Sequence, residues 1–345
     1  MLIPHTLTEH AHVATTCQHH RLIIGDTAYS EGSIRITDIA SVTVDALRIA
    51  WSQLPIKQPL AALIFQASKE FTCLAHFFPL LRSCSDETRG SFRQDLNALL
   101  QRPELQIVYV TDNGPTPAPL VLRVLISAQI LCCFWQHKAV IELLMRSKPS
   151  VHLFANHALF TRAGGVGGGC YSVESHRIML EASRMFEGFF TPHPNVSPFL
   201  HEFGHMLDGT HMRIHQLPHC QGRMPGMDAT HIHQWRLAKA TEYALYMAWY
   251  HHRPPTHGQT PIGHPYVFQN DGEFLAGHWE MFWRNPHSMA AMSPELFSAF
   301  VAYTNQDPRT SLAADYMGYV RDNVRFYHSG SQPWPSEMRY DIESL

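Results

Sequence analysis

His201-Glu202-Phe203-Gly204-His205 carries the strongest chemical signal in this chain. On a helix, H-E-x-x-H places two imidazoles one turn apart on one face with a carboxylate beside them. His201 and His205 can then grip one zinc ion, and Glu202 can face a bound water as a general base. The chain holds 25 histidines, so the pentapeptide needs support from its surroundings. Those surroundings read as a helix. Asn195 or Ser197 can cap it, Pro198 suits its first turn, Leu200, Phe203 and Leu207 make an inward stripe, and Gly209 can end it after Asp208. Gly204 costs about 1 kcal/mol against alanine inside a helix, which implies that another element approaches closely there.

A hydrolytic zinc site needs a third protein ligand and one open position. Two residues compete for that third place. His211 reproduces the spacing H-E-x-x-H-x-x-G-x-x-H, with Met224 or Met227 as a Met-turn; here, however, Asp208 takes the glycine position and Gly209 falls one place late. Glu273 is the other candidate. It opens a second helical segment, with Asn270 or Asp271 as N-cap and Asn285-Pro286 as a stop. Glu273, Gly277 and Glu280 share a face of that helix. Glu273 could bind zinc, the small Gly277 could admit the first helix, and Glu280 could orient a ligand imidazole. Phe274, Leu275, Trp279, Phe282 and Trp283 mark the segment as largely buried.

Four segments, in order, resemble the Mlc titration factor A family of bacterial zinc metallopeptidases of the gluzincin type. Leu122–Gln129 is similar to its M-R-V-x-I-A-A-Q segment, and Val196–Asp208 to V-x-H-E-F-A-H-x-L-D. Pro265–Phe282 is similar to P-Y-A-A-T-x-x-A-E-F-F-A-V-x-S-E-x-F-F, and Asn305–Pro308 to R-Q-D-P. The resemblance covers roughly residues 86–310. It implies that His201, His205 and Glu273 bind zinc, that Glu202 is the general base and that Tyr266 supplies an electrophilic hydroxyl. It also implies aminopeptidase action on short peptides, or alternatively a regulator that binds a transcriptional repressor, since the family takes its name from the glucose repressor Mlc. Gly204 replaces the family's usual alanine, the stretch between the two metal motifs is longer, and residues 1–85 show no match.

The implied fold is α+β: a zincin-like metallopeptidase domain at 86–310, mostly helical, with a small mixed sheet beside the H-E-x-x-H helix. Residues 1–85 form an N-terminal extension or accessory domain, and 311–345 a C-terminal tail. Within the extension, Arg21–Thr37 reads as a strand region, and Val42–Trp51 and Pro59–Leu81 as helices. Further on, the patterning predicts a helix from Asp86 to Leu100, a strand at Leu105–Val110, a Pro-rich turn at Gly114–Pro119 and a buried helix through about Cys133. Strands follow at Val151–Asn156 and Arg177–Ala182, the latter expected to be the sheet edge that an extended substrate would join. Trp235–Tyr250 reads as a long helix with Leu237, Tyr243, Leu245 and Trp249 in the core. The run Gly164–Gly169 lacks G-K-[ST] and opens no helix, so it reads as a flexible loop near the cleft rather than a phosphate cradle.

Composition narrows the partners. A hydrophobic content of 45% with 16% charged residues fits a globular protein. The net charge of −3, with no basic run, argues against nucleic acid. The most apolar stretch, Leu120–Trp135, is too short and too interrupted for a membrane span. Seven cysteines without a C-x-x-C pair, and no signal peptide pattern, point to reduced thiols and the cytoplasm. Oligomeric state is not legible.

Overall fold

The computed structural model describes residues 17–18, 21–24, 27–30, 78–82, 84–118, 120–182, 184–185, 197–251, 260–315, 323 and 326–328. In chain order the elements begin with β1 Cys17–Gln18, β2 Arg21–Ile24, β3 Thr27–Ser30, α1 Pro79–Arg82 and α2 Asp86–Leu100. Next come β4 Gln106–Thr111, β5 Gly114–Pro117, α3 Leu120–Phe134, α4 Lys138–Arg146, β6 Ser150–Phe154, α5 His157–Arg162, β7 Gly169–Ser172 and β8 Arg177–Glu181. The helices α6 Pro198–Ile214, α7 Ala229–Tyr250, α8 Asp271–Arg284, α9 Pro286–Met292 and α10 Pro294–Thr304 complete the series, with a 3-10 turn at Pro265–Phe268 ahead of α8. The fold is α+β, mostly helical with a small mixed sheet. No helix among the described residues is long and apolar enough to cross a membrane.

Contacts divide the chain into two compact units. The first takes in the described residues up to 101 together with 118–132. Its strands β1, β2 and β3 form an antiparallel meander in which Leu22 pairs with Tyr29. In α2, Ser85 caps the first turn and Phe92, Leu96 and Leu99 are buried at helical spacing. Arg123 of α3 donates to the Leu100 carbonyl at 2.9 Å. The helices expected at Val42–Trp51 and Pro59–Leu81 lie outside the described residues, apart from the short turn at Pro79–Arg82.

The second unit contains the five-stranded sheet, in the order β5-β4-β6-β8-β7, and the helices from α4 onward. β4, β6 and β8 run parallel, and both edges are antiparallel hairpin partners. Two expectations are corrected here. The Pro-rich segment Gly114–Pro117 is an edge strand rather than a turn; its prolines are tolerated because they occupy an edge. Arg177–Glu181 is interior rather than the edge, because the last residue of the glycine run, Gly169, opens β7 outside it. A strand that begins in glycine has no apolar alternation to announce it.

α6 starts where the sequence indicates, with Ser197 as N-cap and Pro198 in the first turn. It does not stop at Gly209 but continues to Ile214, and Gln216 then adopts a left-handed φ of 51°. Gly209 serves packing instead: a Cβ there would lie 1.8 Å from the Tyr171 hydroxyl. Gly204 meets the expectation of close approach, since a Cβ would come within 2.6 Å of the Ala276 Cα on α8. Gly277, expected to make that contact, instead accommodates Val267 of the 3-10 turn. Phe134, Phe203, Trp279, Phe282 and Phe300 fill the space behind the two helices; Phe134 stacks on Trp279 at 5.4 Å. In α7, Leu237 is 58% exposed rather than core, and the buried positions are Trp235, Ala238 and Glu242.

The Gly204–Ala276 contact gives a direct stability prediction. Gly204→Val pushes branched carbon into backbone that cannot move aside, and should cost roughly 1–3 kcal/mol. Thermal melts should show a drop of several degrees; an unchanged midpoint would mean that the helices do not touch there.

Candidate metal centre

Two helices, α6 and α8, bring the predicted donors together. His201 Nε2 lies 3.2 Å from Glu273 Oε2, and His205 Nε2 lies 3.3 Å from the same oxygen. One ligand atom from each of His201, His205 and Glu273 falls within 4.8 Å of the others. No other such group of three or more occurs among the described residues. The Asn270 side chain caps α8 by accepting from the Glu273 N–H at 2.9 Å, which fixes the first turn that carries the carboxylate.

His211 stays outside this group. It is buried on α6 beside His215, with ring centroids 4.5 Å apart, and its Nδ1 has no hydrogen-bond partner. Because α6 continues unbroken past Asp208, the chain makes no sharp turn that could return His211 toward His201. Asp208 has a different task. Its carboxylate accepts the backbone N–H groups of Gln221, Gly222 and Arg223 at 3.0, 2.7 and 3.2 Å, and so ties the following loop to α6.

Around the donors stand the other predicted residues. Glu202 is 7% exposed, and burial raises the pKa of its carboxyl against the opposing influence of His201 and His205. Gly169 of β7 lies against it: a Cβ there would stand 3.1 Å from the Glu202 Cγ. Tyr266, 43% exposed, donates its hydroxyl to Glu273 Oε1 at 2.9 Å. Burial and the Glu273 carboxylate both push the phenol pKa up. Glu280 reaches back to α6: Oε1 accepts the Ser197 N–H, and Oε2 lies 3.7 Å from His201 Nδ1. Burial opposes charge on His201, but the Glu273 and Glu280 carboxylates push its pKa up to about 10.

The donor set fits a zinc ion: two imidazoles and one carboxylate converge, and a further carboxylate sits behind the first imidazole. The arrangement matches the chemistry of a hydrolytic zinc centre, with a buried carboxyl and a phenol at its side.

A second polar network, without any local sequence signal, lies beside the site. Tyr171 of β7 stacks on His205, with centroids 6.5 Å apart and planes 9° off parallel. Its hydroxyl contacts Nδ1 of the buried His176 at 2.6 Å, while Nε2 contacts Ser147 at 2.7 Å and Thr210 at 3.3 Å. Ser147 and Thr210 donate to the Leu144 and Met206 carbonyls, so both accept from His176 Nε2–H. Nδ1 is therefore bare, and Tyr171 donates to it. No periodicity marks these residues, because they lie on β7, the turn after it, the end of α4 and α6.

Burial, aided by the Arg213 charge, pushes the His176 pKa down from 6.5 to about 3. Between those values the unfolded chain binds a proton that the folded chain refuses, so stability is full above pH 6.5 and falls with acidification. Urea unfolding of zinc-free protein should show a wild-type loss steeper than that of His176→Gln by up to about 1.4 kcal/mol per pH unit. Parallel slopes would show that His176 already carries its proton.

These features define an α+β protein with a candidate metallohydrolase site. Residues 160–304, under half of the chain, match the family model described as glucose-regulated metallo-peptidase M90. The matched region includes both helices of the site, and it supports the resemblance seen in the sequence and a metallopeptidase-type function. No curated protein matches the chain.

Proposed function

We propose that the chain is a zinc-dependent peptidase in which His201, His205 and Glu273 hold one zinc ion, Glu202 is the general base and Tyr266 an electrophilic donor. One observation carries this reading: three donors converge from two helices beside a buried carboxyl and a phenolic hydroxyl. Bound there, zinc would lower the pKa of a water toward ~7 and polarise the scissile carbonyl. Glu202 takes the proton of the attacking water and returns it to the leaving amine. Its burial, which raises the carboxyl pKa, suits a group that must both accept and release a proton. Tyr266 turns its hydroxyl from Glu273 to the developing oxyanion. Glu280 holds His201 in register from behind, tying its ring to the first turn of α6.

The substrates we assign are short peptides, cut aminopeptidase-fashion as the family resemblance implies. Free thiols at Cys84, Cys170 and Cys220 support the cytoplasmic reading. Hydrolysis of a mixed peptide and amino-acid-anilide library by zinc-loaded protein tests the proposal. Release from anilides with a free amine is the expected result; an inert, zinc-replete protein would move the weight to the repressor-binding alternative. Binding of a repressor by Glu202→Gln protein would then separate that role from hydrolysis.

A further inference from the structure

The Tyr266 hydroxyl needs aiming, because the residue is 43% exposed and its neighbours leave the ring largely uncovered. Its aim comes from the backbone. His264 caps the 3-10 turn, accepting the Tyr266 N–H at 2.9 Å through Nδ1, and Val267 presses into the notch left by Gly277. Upstream, residues 260–263 are buried, with Ile262 at 0% exposure and Gly263 at a φ of 112°. A buried loop must find a partner for each backbone polar group, and this one finds them on side chains.

Those side chains come from three places. Glu242 of α7 accepts the Ile262 N–H at 3.0 Å, and His278 of α8 contacts the Ile262 carbonyl at 2.8 Å. Asn323, 0% exposed, accepts the Gly263 N–H at 3.2 Å and donates to the Pro261 carbonyl at 3.0 Å. Tyr327, 5% exposed, donates to the Gly263 carbonyl at 2.6 Å. Three of the five bonds therefore originate beyond residue 315, well after the second metal motif.

We infer that Asn323 and Tyr327 are positioning residues that grip the loop at Pro261–Gly263 and thereby set the Tyr266 hydroxyl over the metal centre. The inference rests on the proposed electrophilic role of Tyr266. Neither residue touches the metal donors. Each acts through the backbone that leads into the turn, where a displacement of about 1 Å can cost a hundredfold in rate.

The test compares Tyr327→Phe and Asn323→Asp with wild-type protein, alone and in a Tyr266→Phe background. Tyr327→Phe deletes one hydroxyl; Asn323→Asp keeps the acceptor for Gly263 and removes the donor to Pro261, so it serves if the first variant fails to fold. Amide hydrogen exchange in the zinc-free proteins is read first. Residues 262–268 should exchange about tenfold faster or more, with 201–205 and 273–280 unchanged. In zinc-loaded protein, kcat on the best library substrate should fall about tenfold to a hundredfold with KM within twofold. The same substitutions should cost nothing further once Tyr266 is Phe. Unchanged exchange at 262–268, or an equal loss in the Tyr266→Phe background, would overturn the inference. Wild-type protein that hydrolyses nothing would overturn the peptidase reading instead, and the exchange result would still decide whether these residues hold the turn.

Discussion

On the proposed mechanism, Glu202→Gln should lower hydrolysis by roughly 10²–10⁴-fold, the contribution of a positioned general base, while zinc content should stay at wild-type level. The substitution preserves the volume of a side chain that is 7% exposed and packed against Gly169, so folding is little disturbed. What changes is the ability to take and return a proton. Glu202 is not among the three donors that converge, so loss of its charge leaves them in place. Metal analysis of the purified variant, run beside its kinetics, separates a failure of chemistry from a failure of binding. Equal activity in the variant would remove Glu202 from the mechanism.

Glu273→Ala has the opposite signature. Its Oε2 lies 3.2 Å from one imidazole and 3.3 Å from the other, and it completes the only group of three possible donors among the described residues. Loss of a partner that merely orients a ligand costs 10–100-fold in metal affinity, and loss of a ligand should exceed roughly a hundredfold. Competition against a zinc chelator measures it. His211→Ala should bind zinc like wild type, because His211 faces His215 instead of the donors. The reverse outcome would restore the H-E-x-x-H-x-x-G-x-x-H reading. Glu273→Ala also frees Tyr266, whose hydroxyl now donates to that carboxylate.

The two helices that carry the donors were legible because their signals are local. Ser197-Pro198 starts one, Asn270 caps the other, and apolar residues at helical spacing mark their buried faces. Gly204 announced a close neighbour but not its identity; that neighbour is Ala276. Choosing Glu273 over His211 needed the family resemblance, since spacing alone favoured neither. Local patterning misplaces the sheet edge because Gly169 gives β7 no alternation, and it reads the Pro115 and Pro117 strand as a turn because proline more often marks one. The roles of Tyr171, His176, Asp208, Asn323 and Tyr327 have no local sequence signal, because each exists only through partners that folding brings together.

The separation of 72 residues between His201 and Glu273 has a consequence during synthesis. At about 5–20 residues per second, the emerging chain carries both imidazoles and Glu202 for roughly 4–14 s before the third donor is made. Through that interval the ribosome holds an incomplete centre, unable to grip an ion with all three donors. On the proposed ligand set, assembly of the centre is thereby deferred until Glu273 has been translated and its helix has formed.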